Sequence, residues 1–348
     1  MTRRLPVAAL LLAWPAVGLG LTFHVPGQQP SIQAAINLAS PSIPDTVLVA
    51  GGVYNERLKI LSKAVVLKGQ GADLTTIDGR FGGNVVTVTA VGRNCIIEDL
   101  TVTGGDANGP DSVGAAIYLN NFASPTIQRC HLTGNRARAG GGINAYVMCQ
   151  PLVRDCRIDA NAGGAVVFEL GDADQGHTYA VVENCVIVNN QGFGCYVLKG
   201  ARVTWRNCTI AFNASDGLRS DQIARVRVFN SIITNNQGAG ITRLDNTVCF
   251  TLACNDVYSN VGGNYVGANP GDACFSGRGS GDVSIDPCYQ NVATGNFHLQ
   301  LHSPLCALRS PDSCGVLGAY TDPCAPGNSP CIVHVEQRTW GGVKTLYR

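Results

Sequence analysis

The segment Arg206-Asn-Cys208-Thr-Ile-Ala-Phe-Asn213 is one copy of a pattern that recurs along the chain, with an Asn placed five residues after a Cys or Ser. Residues 128–135, 154–161, 183–190 and 229–236 share its frame, and residues 98–104 and 253–260 extend the series at either end. The key positions 100, 130, 156, 185, 208, 231 and 255 lie 30, 26, 29, 23, 23 and 24 residues apart. Self-similarity with this period, lengthened by insertions, predicts a solenoid with one copy in each turn.

The contents of each period indicate which kind of solenoid forms. They are rich in β-branched residues and punctuated by Gly and Asn, and one period divides into three short strands at residues 202–205, 208–212 and 217–221. Gly and Asn suit the corners because both tolerate the left-handed backbone conformation. No apolar period typical of helices runs through this region, which argues against leucine-rich and helical repeats. The sequence therefore predicts an all-β, parallel solenoid with three strands per turn.

From about residue 22 to about residue 300, the chain resembles the pectin-lyase-like superfamily of right-handed parallel β-helices. The repeats carry the resemblance, and residues 31–39 look like the short helix that caps such a solenoid at its N-terminal end. Gly52-Val-Tyr54-Asn-Glu56 is similar to the first turn of pectin methylesterases and of many non-enzymatic relatives. Leu132-Thr-Gly-Asn135, followed by Gly140-Gly-Gly-Ile143, is similar to the repeats of bacterial polymorphic outer-membrane proteins. The resemblance implies a secreted bacterial β-helix of about ten turns and says little about activity.

Composition restricts the classes of protein to which the chain can belong. Its 348 residues include 42 Gly and only 14% charged residues, against about 25% charged in an average protein, so it is neither disordered nor a coiled coil. Lys and Arg number 25 against 24 Asp and Glu, for a net charge of +1. This balance gives no electrostatic case for nucleic acid or an anionic membrane as the main partner. We expect a monomer whose partner is a polysaccharide or another extracellular polymer.

The N-terminal residues predict export. Arg3 and Arg4 precede an apolar run, and small residues follow at positions 16, 18 and 20, which is typical of a cleaved secretory signal. The 15 Cys residues suit an oxidising compartment, and no later apolar run approaches the roughly 20 residues that a membrane span requires. We therefore expect a secreted or cell-envelope protein with a signal peptide at 1–20, a parallel β-helix at 21–300 and a Cys-, Pro- and Gly-rich closure and tail at 301–348.

The cysteines form two groups that call for different interpretations. The Cys at the key position gives way to Leu100 and Ser231 near the ends of the series, so we interpret it as a small buried side chain. Occasional disulfides along this column are the alternative, because stacked turns lie about 4.8 Å apart, within the Cα separation of a disulfide. A second group has an even count in a loop-rich segment and predicts disulfides whose pairing stays open. This group comprises Cys249, Cys254, Cys274, Cys288, Cys306, Cys314, Cys324 and Cys331.

A candidate binding face emerges when the turns are aligned with one another. In the strand after the Gly corner, period-two alternation places one outward residue in each turn and a second outward residue two positions later. The first outward column is Tyr118, Asn144, Val167, Tyr196, Arg219 and Thr242, and the second is Asn120, Tyr146, Glu169, Leu198, Asp221 and Leu244. Flat aromatic rings with hydrogen-bonding tips suit stacking on sugars. We therefore predict a polysaccharide-binding face whose contact residues are Tyr118, Asn144, Tyr146 and Tyr196.

Catalysis on the same face is the alternative. Glu169 and Asp221 would lie two turns apart, about 9.6 Å, near the upper carboxyl separation of an inverting glycosidase. Arg219 acting as a base, with carboxylates holding Ca²⁺, would resemble a pectate-type lyase. The signatures of the methylesterases (Gln-Asp, Arg-Pro-Trp) and of the polygalacturonases (Asn-x-Asp, Asp-Asp, Gly-His-Gly) are missing, so enzymatic activity stays open. A structural or adhesin-like surface protein is the third class.

Two further groups of charged residues are candidates for binding. Asp172 and Asp174 lie in an insertion beside the face and are candidate Ca²⁺ ligands, although the insertion lacks the bounding Glu of an EF-hand loop. A solvated acidic loop is the alternative, and no other cofactor is expected. On a different strand, Arg202 aligns with Arg225, two residues before Arg227. This basic strip would suit an acidic polymer, or would simply keep the surface soluble.

Overall fold

The computed structural model describes residues 20–107, 114–169, 178–301, 303–307, 314 and 317–320. Its strands form three parallel sheets, which we name A, B and C in the order in which one turn visits them. The sheets contain 10, 9 and 9 strands, and strands that are neighbours within a sheet come from successive turns. The expected all-β solenoid with three strands per turn and about ten turns is therefore confirmed.

The strands are short throughout. Sheet A consists of Thr22–Val25, Asp45–Val49, Val65–Lys68, Ile96–Glu98, Thr126–Gln128, Leu152–Arg154, Tyr179–Glu183, Arg202–Arg206, Arg225–Phe229 and Cys249–Ala253. Sheet B consists of Gly52–Tyr54, Thr75–Asp78, Thr101–Thr103, His131–Thr133, Arg157–Asp159, Val186–Val188, Thr209–Ala211, Ile232–Thr234 and Asp256–Tyr258. Sheet C consists of Leu58–Leu61, Val86–Thr89, Ile117–Asn120, Ile143–Tyr146, Val166–Glu169, Cys195–Leu198, Leu218–Ser220, Ile241–Arg243 and Tyr265–Val266.

A short α-helix, Ile32–Leu38, packs against the first strands of the solenoid, as its apolar face predicts. The Ser31 side chain accepts the Ala34 N–H at its N-terminus, and the Glu56 carboxylate accepts the N–H groups of Ile32 and Gln33 at 2.9 and 3.0 Å. These bonds satisfy N–H groups that have no partner within a helix. The Glu56 side chain thus joins the first turn to the capping helix.

The remaining elements lie at the corners and near the C-terminus. Two-stranded pairs form between Asp106–Ala107 and Arg136–Ala137, which are parallel, and between Tyr289–Asn291 and Asn296–Leu299, which are antiparallel. A 3-10 turn, Val292–Thr294, connects the antiparallel pair, and a second α-helix spans Pro304–Ala307. Among the described residues, no helix has the length and apolar character needed to cross a membrane.

A column of buried asparagines keeps the turns in register after sheet B. In each step, the side-chain Nδ2 donates to the Oδ1 of the asparagine in the next turn, at 2.9 to 3.1 Å. The column consists of Asn135, Asn161, Asn190, Asn213, Asn236 and Asn260. Where the preceding residue is not Gly, it adopts the left-handed conformation, with φ between 52° and 56°. The recurring Asn of the sequence is thus a hydrogen-bonded ladder that runs along the solenoid.

The cysteines at the key position are buried free thiols, as expected. Cys130, Cys156, Cys185 and Cys208 are at most 2% exposed, and none of them forms a disulfide. Their Sγ atoms donate to backbone carbonyls instead, for example Cys208 to Arg206 at 3.2 Å. Burial raises the pKa of the Cys208 thiol to about 12. The column therefore consists of inert core side chains, and the disulfide alternative does not apply to it.

The predicted C-terminal disulfides are confirmed for the described cysteines. Cys249 pairs with Cys274, and Cys254 pairs with Cys314. Cys288 and Cys306 are also disulfide-bonded. Cys324 and Cys331 lie outside the described residues. These bonds fasten the irregular segment that follows the last parallel strands.

The C-terminal segment folds back over the outer surface of sheet B. Val186, Val188 and Ile232 face outward there and are nevertheless buried, because Tyr289, Phe297 and Leu299 pack against them. Arg157 Nη1 also donates to the Gly295 carbonyl at 2.9 Å, across 138 residues of sequence. These outward residues are apolar, so covering them with the C-terminal segment stabilises the fold. Burial of each Val or Ile contributes about 1.5–3 kcal/mol. The segment thus covers the outer surface of sheet B over its C-terminal strands.

Candidate functional site

The strand pairing confirms the predicted alignment of the outward residues of sheet C, except for Asp221 and Leu244, which follow the paired residues of their strands. The partners across successive strands are Lys59, Thr87, Tyr118, Asn144, Val167, Tyr196, Arg219 and Thr242 in one column. Thr89, Asn120, Tyr146, Glu169 and Leu198 form the second column. We call the surface around Tyr118, Tyr146, Tyr196 and Arg219 the tyrosine face. Its rings are half-buried, and the first and last lie three strand spacings apart, about 14 Å.

One end of the tyrosine face is an aromatic cluster around Arg219. The guanidinium lies 4.2 Å from the centre of the Tyr196 ring and 4.4 Å from that of the Phe193 ring. The two rings meet edge to face at 5.5 Å. Arg219 Nε is buried and has no hydrogen-bond partner among the described residues. Cation–π attraction therefore holds the guanidinium against the rings. A catalytic role of Arg219 stays a prediction.

Asn144 is placed differently from the other predicted contact residues. It points away from the core, yet it is fully buried. The glycines of two neighbouring corners lie close above it. A Cβ atom added to Gly114 would lie 3.0 Å from the Asn144 Cβ, and one added to Gly140 would lie 3.1 Å from it. Neither Oδ1 nor Nδ2 has a hydrogen-bond partner among the described residues. The prediction that Asn144 is an exposed contact residue is therefore wrong, because strand alternation does not report how corners cover a sheet.

The three residues predicted for catalysis are held by separate contacts. Glu169 is 8% exposed and forms an ion pair with Lys199 at 3.0 Å. The Tyr196 hydroxyl donates to Asp221 Oδ2 at 3.3 Å. Burial, with a hydrogen bond to Asp245, raises the pKa of Asp221, and the same hydrogen bond lowers the pKa of Asp245. Tyr196, Arg219 and Asp221 thus form one cluster, whereas Glu169 belongs to a neighbouring turn.

Three residues that contact the predicted catalytic residues were not predicted from the sequence. Phe193, Lys199 and Asp245 lie in or beside the corners that flank sheet C, whereas the alignment covered strand residues only. Asp245 immediately follows Leu244, the last aligned outward residue. Aligning the corners turn by turn, as the strands were aligned, is the signal that would have found Lys199 and Asp245.

A cationic cavity adjoins the tyrosine face at its N-terminal end. It has a volume of about 420 Å³ and is lined by Arg57, Lys59, Asn84 and Thr87. Thr87 is the strand partner of Tyr118, so the cavity continues the first outward column. Asn84 Oδ1 is buried without a hydrogen-bond partner among the described residues. The sequence did not predict this cavity.

Two sets of predicted binding residues remain, the candidate Ca²⁺ ligands and the basic strip. Asp172 and Asp174 fall outside the described residues, so Ca²⁺ binding there stays a prediction. Within the described part of the chain, no group of three or more His, Cys, Asp or Glu could hold a metal ion. The basic strip lies on sheet A, where Arg202 pairs with Arg225 in a groove of about 420 Å³ that Arg227 also lines.

Comparison with known proteins identifies the fold. The family model described as "Right handed beta helix region" matches residues 63–209 and 115–289. None of the curated proteins matches the chain in sequence.

Three solved structures illustrate the structural similarity. The A-module of a mannuronan C-5 epimerase from Azotobacter vinelandii is 17% identical, over 74% of this chain and 94% of that module, with a TM-score of 0.38. The Aspergillus niger pectin methylesterase is 15% identical, over 77% and 90%, with a TM-score of 0.44. The carrot pectin methylesterase is 13% identical, over 77% and 89%, with a TM-score of 0.41. Similarity at this level concerns the fold alone.

Proposed function

The chain belongs to the right-handed β-helix family, and from this premise we propose that it is an exported protein whose tyrosine face binds an extended polysaccharide. The observation that carries the proposal is that three half-buried tyrosine rings lie on the outer surface of one sheet within four successive turns. Each ring offers an apolar surface and a hydroxyl. A chain of sugars lying along the solenoid axis would meet the rings in sequence.

Polar atoms beside the rings support this proposal. Arg219 Nε and Thr242 Oγ1 are buried in the first outward column, and neither has a hydrogen-bond partner among the described residues. A buried polar group without a partner costs about 1–3 kcal/mol. A rotation of either side chain toward the surface would let the hydroxyl groups of a bound sugar, directly or through water, supply the missing partner. A polar, ring-shaped ligand therefore suits this surface better than an apolar one.

Export is the second part of the proposal. Cys249–Cys274 and Cys254–Cys314 are disulfides, and disulfides persist in oxidising compartments. The N-terminal signal pattern of the sequence points the same way. We therefore place the protein outside the cell or in the envelope, where polysaccharides are abundant ligands.

The experiment that tests this function screens the mature chain, residues 21–348, on immobilised uronate and neutral glycans with and without Ca²⁺. We expect retention on at least one glycan without any product. The triple variant Tyr118→Ala, Tyr146→Ala, Tyr196→Ala, with native folding verified by circular dichroism, should lose that retention. Unchanged retention of this variant would remove the tyrosine face from consideration.

Polysaccharide cleavage at the same face is the second candidate. It is favoured by the raised pKa of Asp221, which suits a general acid, and by the ion-paired Glu169 two turns away. Glu169→Gln and Asp221→Asn would then abolish turnover and largely preserve retention, because the charges act mainly on the transition state. New reducing ends in the glycan screen would indicate a hydrolase, and unsaturated products would indicate a lyase.

A further inference from the structure

A cavity of about 470 Å³ lies where the C-terminal antiparallel pair meets the corner that follows sheet B. We call it the hairpin pocket. None of its lining residues belongs to sheet C, so it is separate from the tyrosine face. Its volume lies within the range of small-molecule sites, about 300–1,000 Å³.

Three aromatic residues line the hairpin pocket: Phe212, Tyr258 and Tyr289. Tyr289 is held in place, because its hydroxyl shares a hydrogen bond of 3.0 Å with Thr234 Oγ1 and its ring meets that of Phe297 edge to face at 5.3 Å. The Phe212 ring lies 6.3 Å from the Tyr289 ring. The surrounding core therefore positions two of the three rings, those of Tyr289 and Phe212, before any ligand enters.

The only charged side chain among the described lining residues is a carboxylate. Asp286 Oδ1 accepts the Cys288 N–H at 2.9 Å, which fixes the side chain at the wall, and no Lys, Arg or His belongs to the lining. The nearby Asp256 is fully buried, which raises the pKa of its carboxyl, and the negative charge of Asp286 raises that pKa further. Asp256 Oδ1 accepts the Ile285 N–H at 2.9 Å, whereas Oδ2 has no partner among the described residues. Asp256 is therefore protonated near neutral pH and adds no negative charge, and it does not line the pocket. The pocket thus combines three aromatic rings with the single carboxylate of Asp286.

This combination attracts positive charge. The faces of aromatic rings carry partial negative charge and bind ammonium groups, most strongly where water is excluded. Arg278, whose charge lowers the pKa of Asp256, is exposed and does not line the pocket. We propose that the hairpin pocket binds a small organic cation, such as a quaternary ammonium group, between its aromatic wall and Asp286. This site does not depend on the polysaccharide proposal.

The decisive experiment compares choline with its neutral isostere 3,3-dimethyl-1-butanol by isothermal titration calorimetry on the intact, oxidised protein. The two molecules have nearly the same shape, so the difference isolates the charge. We expect choline to bind at least about tenfold more tightly. Equal binding of the two would show an apolar pocket and overturn the proposal, as would the absence of choline binding. Displacement of choline by glucose at the same site would indicate a sugar pocket and would also overturn it.

Two variants locate the binding. Asp286→Asn keeps an oxygen for the Cys288 N–H and removes the charge, and Tyr258→Leu removes one ring from the wall. Each should weaken choline binding by about threefold to thirtyfold. Asp73→Asn, which removes an exposed carboxylate elsewhere, should have no effect. Wild-type affinity in folded Asp286→Asn protein would contradict the proposal, and if that variant does not fold, the isostere comparison decides.

Discussion

At the scale of single residues, Tyr146 offers the most direct test of the tyrosine face. Tyr196 contacts Arg219 and Asp221, so its removal would disturb several groups at once. We expect Tyr146→Ala to weaken glycan binding by about 1 kcal/mol, since one stacking surface is lost. Tyr179→Ala removes an outward tyrosine from sheet A and serves as the control. Glycan affinity, measured by calorimetry or retention, should change only for Tyr146→Ala, and equal losses in both variants would contradict the assignment.

Asp256 predicts how stability depends on pH. Burial raises the pKa of its carboxyl to about 8, against about 3.9 in an unfolded chain. Between these values the folded chain holds a proton that the unfolded chain has lost, so this residue makes stability fall as pH rises from about 4 to about 8. Each unit of pKa difference corresponds to about 1.4 kcal/mol.

We therefore expect Asp256→Asn to stabilise the protein at alkaline pH. The amide cannot ionise, and its oxygen can still accept the Ile285 N–H. Near pH 4 the variant and the wild type should have similar free energies of unfolding, and near pH 8 the variant should be more stable by a few kcal/mol. Urea denaturation across this pH range measures the difference. Parallel pH profiles for the two proteins would show that Asp256 is not buried as described.

At the scale of structural elements, the asparagine ladder should be the least tolerant column. The Asn190 side chain takes part in five hydrogen bonds, to Ile158, Val188, Asn213 and twice to Asn161. Asn190→Ala leaves several buried groups unpaired, and we expect it to lower the free energy of unfolding by about 3 kcal/mol or more. Asn246→Ala, at an exposed position, should change it by less than about 0.5 kcal/mol. Chemical denaturation measures both, and similar small effects would exclude a structural role for the ladder.

The cysteine column leads to a different expectation. Cys156, Cys185 and Cys208 are buried, and burial holds the thiol of Cys208 protonated, with a pKa near 12. Because buried thiols are out of reach of reagents in solution, all three residues should resist labelling until the protein unfolds. The rate of labelling, followed by mass spectrometry against denaturant concentration, should track unfolding. Rapid labelling of any of the three in native protein would show that the column is not in the core.

At the scale of the whole molecule, the Cys254–Cys314 disulfide fastens the C-terminal segment over sheet B, across 60 residues of sequence. Closing a loop of this length is worth about 2–4 kcal/mol. We expect Cys314→Ser to loosen the segment and to uncover Val186 and Ile232. Binding of a hydrophobic dye should then increase, whereas the β-rich circular dichroism spectrum should stay unchanged. Cys185→Ser, which removes a free thiol, is the control. Unchanged dye binding in Cys314→Ser would show that packing alone holds the segment.

The repeats predicted the solenoid because each turn buries the same local pattern. The strand predicted at residues 202–205 is Arg202–Arg206, and the outward partners of Tyr118 were aligned correctly. Corner conformations are not periodic, so the burial of Asn144 and the contacts of Lys199 escaped the alignment. The hairpin pocket depends on contacts between residues far apart in sequence, such as Phe212 with Tyr289, which no local pattern reports.

The asparagine ladder also gives the solenoid an electrical direction. Between the asparagines, each Nδ2 donates to the Oδ1 of the next turn toward the C-terminus, so the side-chain amides are ordered head to tail along the axis, as peptide groups are in a helix. Both ends of this row are capped: the Gly105 N–H donates to Asn135 Oδ1 at 2.9 Å, and Asn260 Nδ2 donates to Asn264 Oδ1 at 3.1 Å. Hydrogen bonds in such a row polarise one another. Insertion of a whole turn that carries its own Asn therefore lengthens the row of hydrogen bonds without interrupting it. Loss of one amide instead divides the row into two shorter dipoles with uncapped ends.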